Sequence, residues 1–295
     1  MEENYFLKIN NYFDNLTEIA SKFDEKFYEL HKNYLRQNVY GLIADDNASL
    51  NKQICEKPLG YARDYIVTNY FYENGYPGNS IYGMFINRYT LETPLARAHI
   101  KRRVYLKNVI LRLQRRKSSD TVLNVSSFAC GPAPEIFDIL DSEIKDIHFA
   151  LIDGEKKVIE YLKERIKKYH NLSSEVDLIQ ANIFNLLRGK EYLDIPKQNL
   201  IYCAGFFDYL KKNTAIKFIR FLLNYLKSGG LLILTNVSAD DSNNVYLKMI
   251  GEWDICHRTI GNLLELLNSI DDIQYKKILA DFYTKRNLYL IIKKK

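Results

Sequence analysis

Glycine and proline are scarce in this chain, with 13 and 6 among 295 residues, which excludes collagen-like and low-complexity proteins. The four cysteines lie far apart, at positions 55, 130, 203 and 256, and no C-x-x-C pair is present. We therefore expect neither a bound metal nor a dithiol redox motif. No apolar run is long enough to span a membrane, and the N-terminus shows no signal-peptide pattern. These absences predict a soluble, unprocessed, cytoplasmic protein.

The composition that remains is that of a globular protein, with 47% hydrophobic and 26% charged residues. The length indicates one large domain or one domain with a sizeable appendage. The net charge of +6 includes the terminal lysines 293–295, and the other basic residues are interpreted as interspersed with acids. On this interpretation no nucleic-acid partner is expected.

The N-terminal part, residues 1–117, is predicted to be helical. Pro94 suits the first turn of a helix that continues to Arg116. Turn-rich aromatic segments lie before it. A single amphipathic helix over residues 10–40 is predicted from apolar side chains at three- and four-residue steps: Leu16, Ile19, Ala20, Phe23, Phe27, Leu30 and Tyr34. We expect this part to fold over the C-terminal domain as a cap.

From residue 118 to residue 295, apolar runs alternate with amphipathic helices, which predicts a doubly wound α/β domain with a mostly parallel seven-stranded sheet. The first five runs are expected to form right-handed βαβ units. The last two, joined by the short TKRN turn, are expected to form an antiparallel hairpin at the sheet edge. The seven runs cover residues 121–127, 147–152, 176–180, 199–204, 231–237, 273–282 and 288–294.

Small and polar residues follow the first two predicted strands. The first leads into SSFACGPAPE, where a turn around Gly131 lets the backbone approach a ligand and a helix start favours an anionic or polar group. Because G-x-G-x-x-G is absent, an NAD or FAD site is disfavoured. The second strand ends at Asp153-Gly154. The Asp153 carboxylate is suited to bind both hydroxyls of a ribose, or to act as the N-cap of the next helix.

The third and fourth predicted strands also end in candidate ligand-binding residues. Asn182, followed by Ile183, could contact an adenine edge or simply shape a turn. After the fourth strand, residues 204–206 precede Asp208 and Tyr209, at the edge where active-site groups of such sheets gather.

These features, in this order and with Gly-Gly before the fifth strand, resemble class I S-adenosylmethionine (SAM) dependent methyltransferases. From about residue 55 onward the chain is similar to a subgroup that includes bacterial 3-hydroxypalmitic acid methyl ester synthases, and also to azetidine-2-carboxylate synthases. The resemblance is carried by KPLGYARDY (57–65), GNSIYGMFINRY (78–89), ACGPAPE (129–135), YCAGFFDYL (202–210), LKSGGLLI (226–233) and EWDICHRT (252–259).

The resemblance implies that SAM is the cofactor and that the acceptor is a small carboxylate or hydroxy acid, such as a fatty acid. Arg63 departs from the subgroup by replacing an expected glycine, and Phe128 and Pro134 make the first loop bulkier. As an alternative activity, the resemblance implies cyclisation of SAM with release of methylthioadenosine. A third possible function is that of an RNA-modifying or RNA-binding module. The implied cofactor-binding residues are Ala129, Gly131, Pro132, Asp153, Gly154, Asn182, Ile183, Ala204, Gly205 and Phe206.

Several candidates lie in the N-terminal part. Tyr61, Asp64 and Tyr65 are suited to cover the cofactor, hold its amino group and approach its sulfonium, or else to pack the two parts together. Arg102 is suited to pair with the SAM carboxylate or to form a surface salt bridge. The candidate catalytic residues are Tyr65, Asp208 and Tyr209.

Two further candidates follow the fifth strand. Trp253, the only tryptophan, is either a wall of the acceptor site or a core residue. His257 lies beside Cys256, but no other ligand has a spacing suited to a metal.

Overall fold

The computed structural model describes residues 2–58, 60, 64–72, 75–118, 121–142, 144–169, 176–241 and 245–295. The predicted site residue Tyr61 and the unusual Arg63 lie outside these described residues. The chain forms two units: Met1–Arg97 with Ala239–Ile255, the N-terminal unit, and Ala98–Ser238 with Cys256–Lys295, the sheet unit. No helix in the described ranges is both long enough and apolar enough to cross a membrane.

The N-terminal unit is helical. The single helix predicted over residues 10–40 is wrong, because a turn at residues 21–27 interrupts it. Asp24 holds this turn, since its side chain accepts a hydrogen bond from the Lys26 N–H at 3.0 Å. Leu30 and Tyr34, which were expected on the apolar face, are 65% and 70% exposed. The helices are α1 (Glu2–Ala20), α2 (Tyr28–Ile43), α3 (Ser49–Glu56), α4 (Tyr65–Tyr72) and α5 (Ile81–Glu92).

A buried polar network joins α3, α5 and the segment 245–250 of the N-terminal unit. The Asn51 side chain donates to Asn87 Oδ1 at 2.9 Å and accepts from Thr90 Oγ1 at 2.7 Å. The Tyr246 hydroxyl lies 2.6 Å from Thr90 Oγ1, and all four side chains are buried. Because buried polar groups are costly unless they are satisfied, this network explains why residues 239–255 belong to a unit otherwise formed by the N-terminus.

The glycines of GNSIYGMFINRY are required by packing within this unit. A Cβ at Gly83 would lie 2.0 Å from the Asn47 carbonyl oxygen, and one at Gly78 would lie 2.5 Å from the Met84 backbone nitrogen. Ser80 between them caps α5, since its hydroxyl accepts from the Gly83 N–H at 3.0 Å. The motif therefore specifies how α5 begins and how closely it approaches Asn47.

The sheet unit confirms the predicted fold class. Its seven strands lie in the order β3-β2-β1-β4-β5-β7-β6, with the first five parallel and β7 antiparallel to both neighbours. The strands are β1 (Leu123–Phe128), β2 (Ile147–Asp153), β3 (Val176–Gln180), β4 (Gln198–Cys203), β5 (Leu226–Val237), β6 (Ile273–Ala280) and β7 (Asn287–Lys294). The helices are α6 (Pro94–Arg116), α7 (Pro134–Leu140), α8 (Lys156–Ile166), α9 (Ile183–Leu187), α10 (Lys212–Tyr225) and α11 (Ile260–Glu265).

Helix α6 belongs mostly to the sheet unit, so the units divide at Arg97 and not near residue 118. The Tyr105 ring lies 4.3 Å from the Tyr289 ring of β7, centroid to centroid. Arg103 donates to an Asp138 carboxylate oxygen of α7 at 2.8 Å. The sequence pattern changes at about residue 118, shortly before β1 begins, but helix α6, which precedes this change, already packs on the sheet.

Candidate functional site

The strand order of the sheet reverses at the neighbouring strands β1 and β4. The chain proceeds from β1 outward to β3 and then returns to the other side of β1, so the strand order reverses between these two strands. In open α/β sheets, ligands bind outside the carboxyl ends of the strands at such a switch point. Residues 129–133 and 204–209 directly follow the carboxyl ends of β1 and β4.

The loop after β1 has an unusual backbone. Ala129, Gly131 and Ala133 have φ values of +48°, +55° and +43°, the left-handed region that residues other than glycine seldom occupy. A Cβ at Gly131 would have no atom within 4 Å, so this side of the loop is open. Pro132 is buried at the turn. Strained backbone of this kind persists where the surrounding structure imposes it, which is common at ligand sites.

Asp153, at the end of β2, holds this loop. Its Oδ2 accepts from the Gly131 N–H at 2.9 Å and its Oδ1 accepts from the Glu155 N–H at 3.0 Å. Burial raises the pKa of the Asp153 carboxyl, and these backbone hydrogen bonds oppose the rise. The N-cap of α8 is Glu155, so the alternative role predicted for Asp153 is wrong. Each carboxylate oxygen can accept a further hydrogen bond beyond the one it makes.

The residues that follow β3 lie at the same carboxyl edge of the sheet. Asn182 is the N-cap of α9, and its Oδ1 accepts from the Phe184 N–H at 2.9 Å, so the turn-shaping role is observed. Ile183 is buried, and the Phe184 ring, 42% exposed, lies 5.8 Å from the Phe206 ring. A Cβ at Gly154 would lie 3.6 Å from the Ala181 carbonyl oxygen. The sequence prediction omitted Phe184, although an aromatic residue directly after Asn182 and Ile183 was a usable signal.

Arg102 lies inside the sheet unit and not on its surface, so the predicted surface salt bridge is wrong. The residue is 3% exposed, and its Nη1 lies 3.5 Å from Thr235 Oγ1 of β5. A Cβ at Gly205, whose φ is +117°, would lie 3.6 Å from the same nitrogen. Gly205 therefore leaves room for a buried guanidinium beside the half-buried Ala204, and such a group pairs well with a carboxylate.

A second buried acid, Glu135, was not among the predicted site residues. It lies in the first turn of α7, is 5% exposed, and accepts a hydrogen bond from the Tyr202 hydroxyl at 2.6 Å. Burial raises the pKa of Glu135, while the Tyr202 hydrogen bond and the charge of Arg102 oppose the rise. Burial and nearby carboxylates also raise the pKa of the Cys130 thiol, which makes this cysteine a poor nucleophile at neutral pH.

Asp208, which was predicted to be catalytic, binds a backbone N–H group. It is 1% exposed, and its Oδ1 accepts from the Val237 N–H at 2.8 Å, so it links the ends of β4 and β5. Arg258 reinforces this link through hydrogen bonds to Asn236 Oδ1 and the Leu210 carbonyl oxygen. The adjacent Tyr209 is 38% exposed.

The candidates of the N-terminal unit have structural partners there. Asp64 is fully buried; its Oδ1 accepts from the Val67 N–H at 2.8 Å and its Oδ2 from Gln53 Nε2 at 2.6 Å. It thus caps α4, whose first residue is the half-buried Tyr65. Trp253 is 6% exposed, in agreement with its reading as a core residue. Across the described ranges, no group of three His, Cys, Asp or Glu side chains could hold a metal ion.

The chain is similar to known proteins in structure but does not match any of them in the sequence comparisons. No protein-family model matches the chain, and no curated protein matches it in sequence. A possible exported protein from Bordetella parapertussis has a TM-score of 0.63 at 14% identity, over 83% of this chain and 86% of its own.

Two methyltransferases of known structure are similar in the same way. The magnesium protoporphyrin IX methyltransferase of Synechocystis PCC 6803, solved with bound SAH, has a TM-score of 0.55 at 12% identity, over 83% of this chain and 97% of its own. The CurJ carbon methyltransferase has a TM-score of 0.57 at 9% identity, over 96% of this chain and 79% of its own. The chain therefore has the Rossmann-like α/β fold of the SAM-dependent methyltransferases.

Proposed function

We propose that the sheet unit binds SAM and that the protein transfers its methyl group to a small-molecule carboxylate or hydroxy acid. One observation carries the proposal: the buried Asp153 carboxylate holds the open loop at Gly131 by a 2.9 Å hydrogen bond, at the strand switch point. The fold shared with two methyltransferases supports the same reading.

The residues at this edge fit the parts of SAM. Asp153 has acceptor capacity for the ribose hydroxyls, and Arg102 offers a buried guanidinium for the carboxylate of the methionine part. Phe184 and Phe206 supply aromatic surface suited to the adenine, beside the buried Ile183. The loop 129–132 offers open backbone for the methionine chain. In this proposal Asp208 is a positioning residue, since its carboxylate holds the Val237 N–H.

Bound SAM supplies an electrophilic methyl group on a sulfonium. A carboxylate acceptor is already ionised at neutral pH, so no general base is needed, and the work of the protein is to align the acceptor with the methyl carbon. Tyr209, exposed at the end of β4, is our candidate for contact with the acceptor. Tyr65 stays a candidate for contact with the acceptor on the resemblance of KPLGYARDY alone.

The assignment of Arg102 is tested by titration calorimetry with SAM and with decarboxylated SAM. A hydrogen bond to a charged group contributes about 1.5–3 kcal/mol, so Arg102→Met should weaken SAM binding roughly tenfold or more. Decarboxylated SAM, which lacks the partner of Arg102, should bind both proteins with equal affinity. Arg112→Met, a change at an exposed position of the same helix, is the control and should leave both affinities unchanged. An equal loss for both ligands in Arg102→Met would show that Arg102 supports the fold and not the ligand.

A further inference from the structure

The positive charge of this protein is segregated. Residues 94–118, which include α6, and residues 273–295, the C-terminal hairpin, contain 16 of the 42 Lys and Arg residues but one of the 36 Asp and Glu residues. The remaining 247 residues therefore contain 26 basic and 35 acidic residues. The interpretation that basic residues are interspersed with acids is wrong, because the net charge of +6 arises from two segments.

These two segments contact each other within the sheet unit. Lys101 Nζ of α6 lies 4.7 Å from the centroid of the Tyr283 ring in the hairpin turn, and the Tyr105 ring of α6 contacts the Tyr289 ring of β7 at a tilt of 40°. Arg112, Arg115 and Arg116 are exposed further along the helix. On the other side of the turn, β6 is an edge strand with exposed lysines at 276 and 277. The segments thus form one surface with exposed basic side chains, although Arg102 within them is buried. Arg103, Lys117 and Lys294 pair with acids outside the two segments.

The turn between β6 and β7 presents two aromatic side chains to solvent. Phe282 is 87% exposed and Tyr283 is 70% exposed. Asp281 braces the turn: it is 5% exposed and accepts from the Thr284 N–H at 2.7 Å and the Asn287 N–H at 3.0 Å. Both aromatics therefore project from a braced turn, and exposed apolar side chains grouped in this way mark interaction sites.

We propose that this surface, α6 with the 281–286 turn, docks on an anionic lipid bilayer. Aromatic side chains favour the membrane interface, and clustered lysines and arginines are attracted to anionic headgroups. Single-stranded nucleic acid fits less well, because bases stack on open faces of aromatic rings. The Phe282 and Tyr283 rings are inclined by 88°, and Lys101 covers the Tyr283 ring.

The turn lies at the carboxyl edge of the sheet, where the candidate site is. Asn287 pairs with Val237 at the end of β5, and the Ser238 N–H donates to the Arg286 carbonyl oxygen at 2.8 Å. If the proposed function holds, docking would bring this edge to the membrane surface, where an amphiphilic acceptor such as a fatty acid resides. Docking itself does not depend on methyl transfer, which analysis of the products formed from SAM tests separately.

Flotation with vesicles tests the docking surface on the full chain. We expect binding to vesicles of phosphatidylcholine and phosphatidylglycerol at about 7:3, little binding to phosphatidylcholine alone, and release as salt rises from about 50 to about 300 mM. The double variant Phe282→Ser, Tyr283→Ser should lose roughly tenfold or more of this binding. Tyr192→Ser, which removes an 85% exposed aromatic elsewhere in the unit, is the matched control and should bind as the unchanged protein does.

Three results would overturn the proposal. They are absence of binding to the anionic vesicles, retention of binding in the Phe282 and Tyr283 double variant, and binding to a single-stranded RNA that equals vesicle binding at the same phosphate concentration. Circular dichroism and the thermal midpoint of the double variant show whether it is folded, so loss of docking cannot be mistaken for unfolding.

Discussion

Asp153→Ala should weaken SAM binding at least about a hundredfold in a protein whose sheet remains folded. In the proposed site the carboxylate accepts two hydrogen bonds from the ribose, each contributing about 1.5–3 kcal/mol. The variant also loses the 2.9 Å bond that holds the Gly131 N–H, so the strained loop is released. Titration calorimetry measures the loss, and circular dichroism verifies that the variant is folded.

Two variants make this result specific. Asp177→Ala removes an exposed acid from the neighbouring strand β3, where Asp177 Oδ2 lies 3.0 Å from His148 Nε2, and it should leave SAM affinity within about twofold. Asp153→Asn keeps the size of the side chain but removes its charge and one acceptor, so its affinity should be intermediate. If Asp153→Ala binds SAM as tightly as the unchanged protein, the ribose is not held by this residue.

Gly83→Ala should unfold the N-terminal unit at much lower urea concentration. The added Cβ would lie 2.0 Å from the Asn47 carbonyl oxygen and 2.4 Å from its carbonyl carbon, and backbone atoms cannot move aside as a flexible side chain can. Overpacking costs about 1–3 kcal/mol, and we expect the upper end, which corresponds to a shift in midpoint of about 1 M urea or more. The fluorescence of Trp253, the only tryptophan, reports on this unit, because the buried residue belongs to it.

Gly41→Ala is the matched control for the Gly83 prediction. Gly41 is also a helical glycine of the N-terminal unit, but it is exposed, and a Cβ there would have no atom within 4 Å. Because alanine is the better helix former by about 1 kcal/mol, this variant should be slightly more stable. Equal fluorescence midpoints for Gly83→Ala and Gly41→Ala would show that the glycines of the motif are not required by packing.

The sequence predicted the sheet almost completely, because strands buried on both faces appear as continuous apolar runs that no other structure explains as simply. The strand-end acid at 153 and the small-residue loop at 131 follow from the same pattern. What periodicity did not reveal was the break at Asp24, where the apolar spacing continues through a turn made by a side-chain hydrogen bond.

The remaining site features depend on contacts between residues distant in sequence. Arg102 is one of nine basic residues between 94 and 118, and only the fold shows that it is buried beside Gly205. Asp208 follows a strand end as catalytic acids often do, yet its partner is a backbone N–H at position 237. Charge segregation was visible in the sequence, but the contact between Lys101 and Tyr283 that joins the two basic segments was not.

The central claim, methyl transfer from SAM, is tested most directly by chromatography of the products formed from SAM alone and from SAM with a hydroxy fatty acid. The acceptor's oxygen attacks the methyl carbon in our account, so S-adenosylhomocysteine should appear only when the acceptor is present. SAM alone should yield no methylthioadenosine above its spontaneous breakdown. Methylthioadenosine together with azetidine-2-carboxylate from SAM alone, abolished by Asp153→Ala, would contradict the account and show that the protein cyclises SAM.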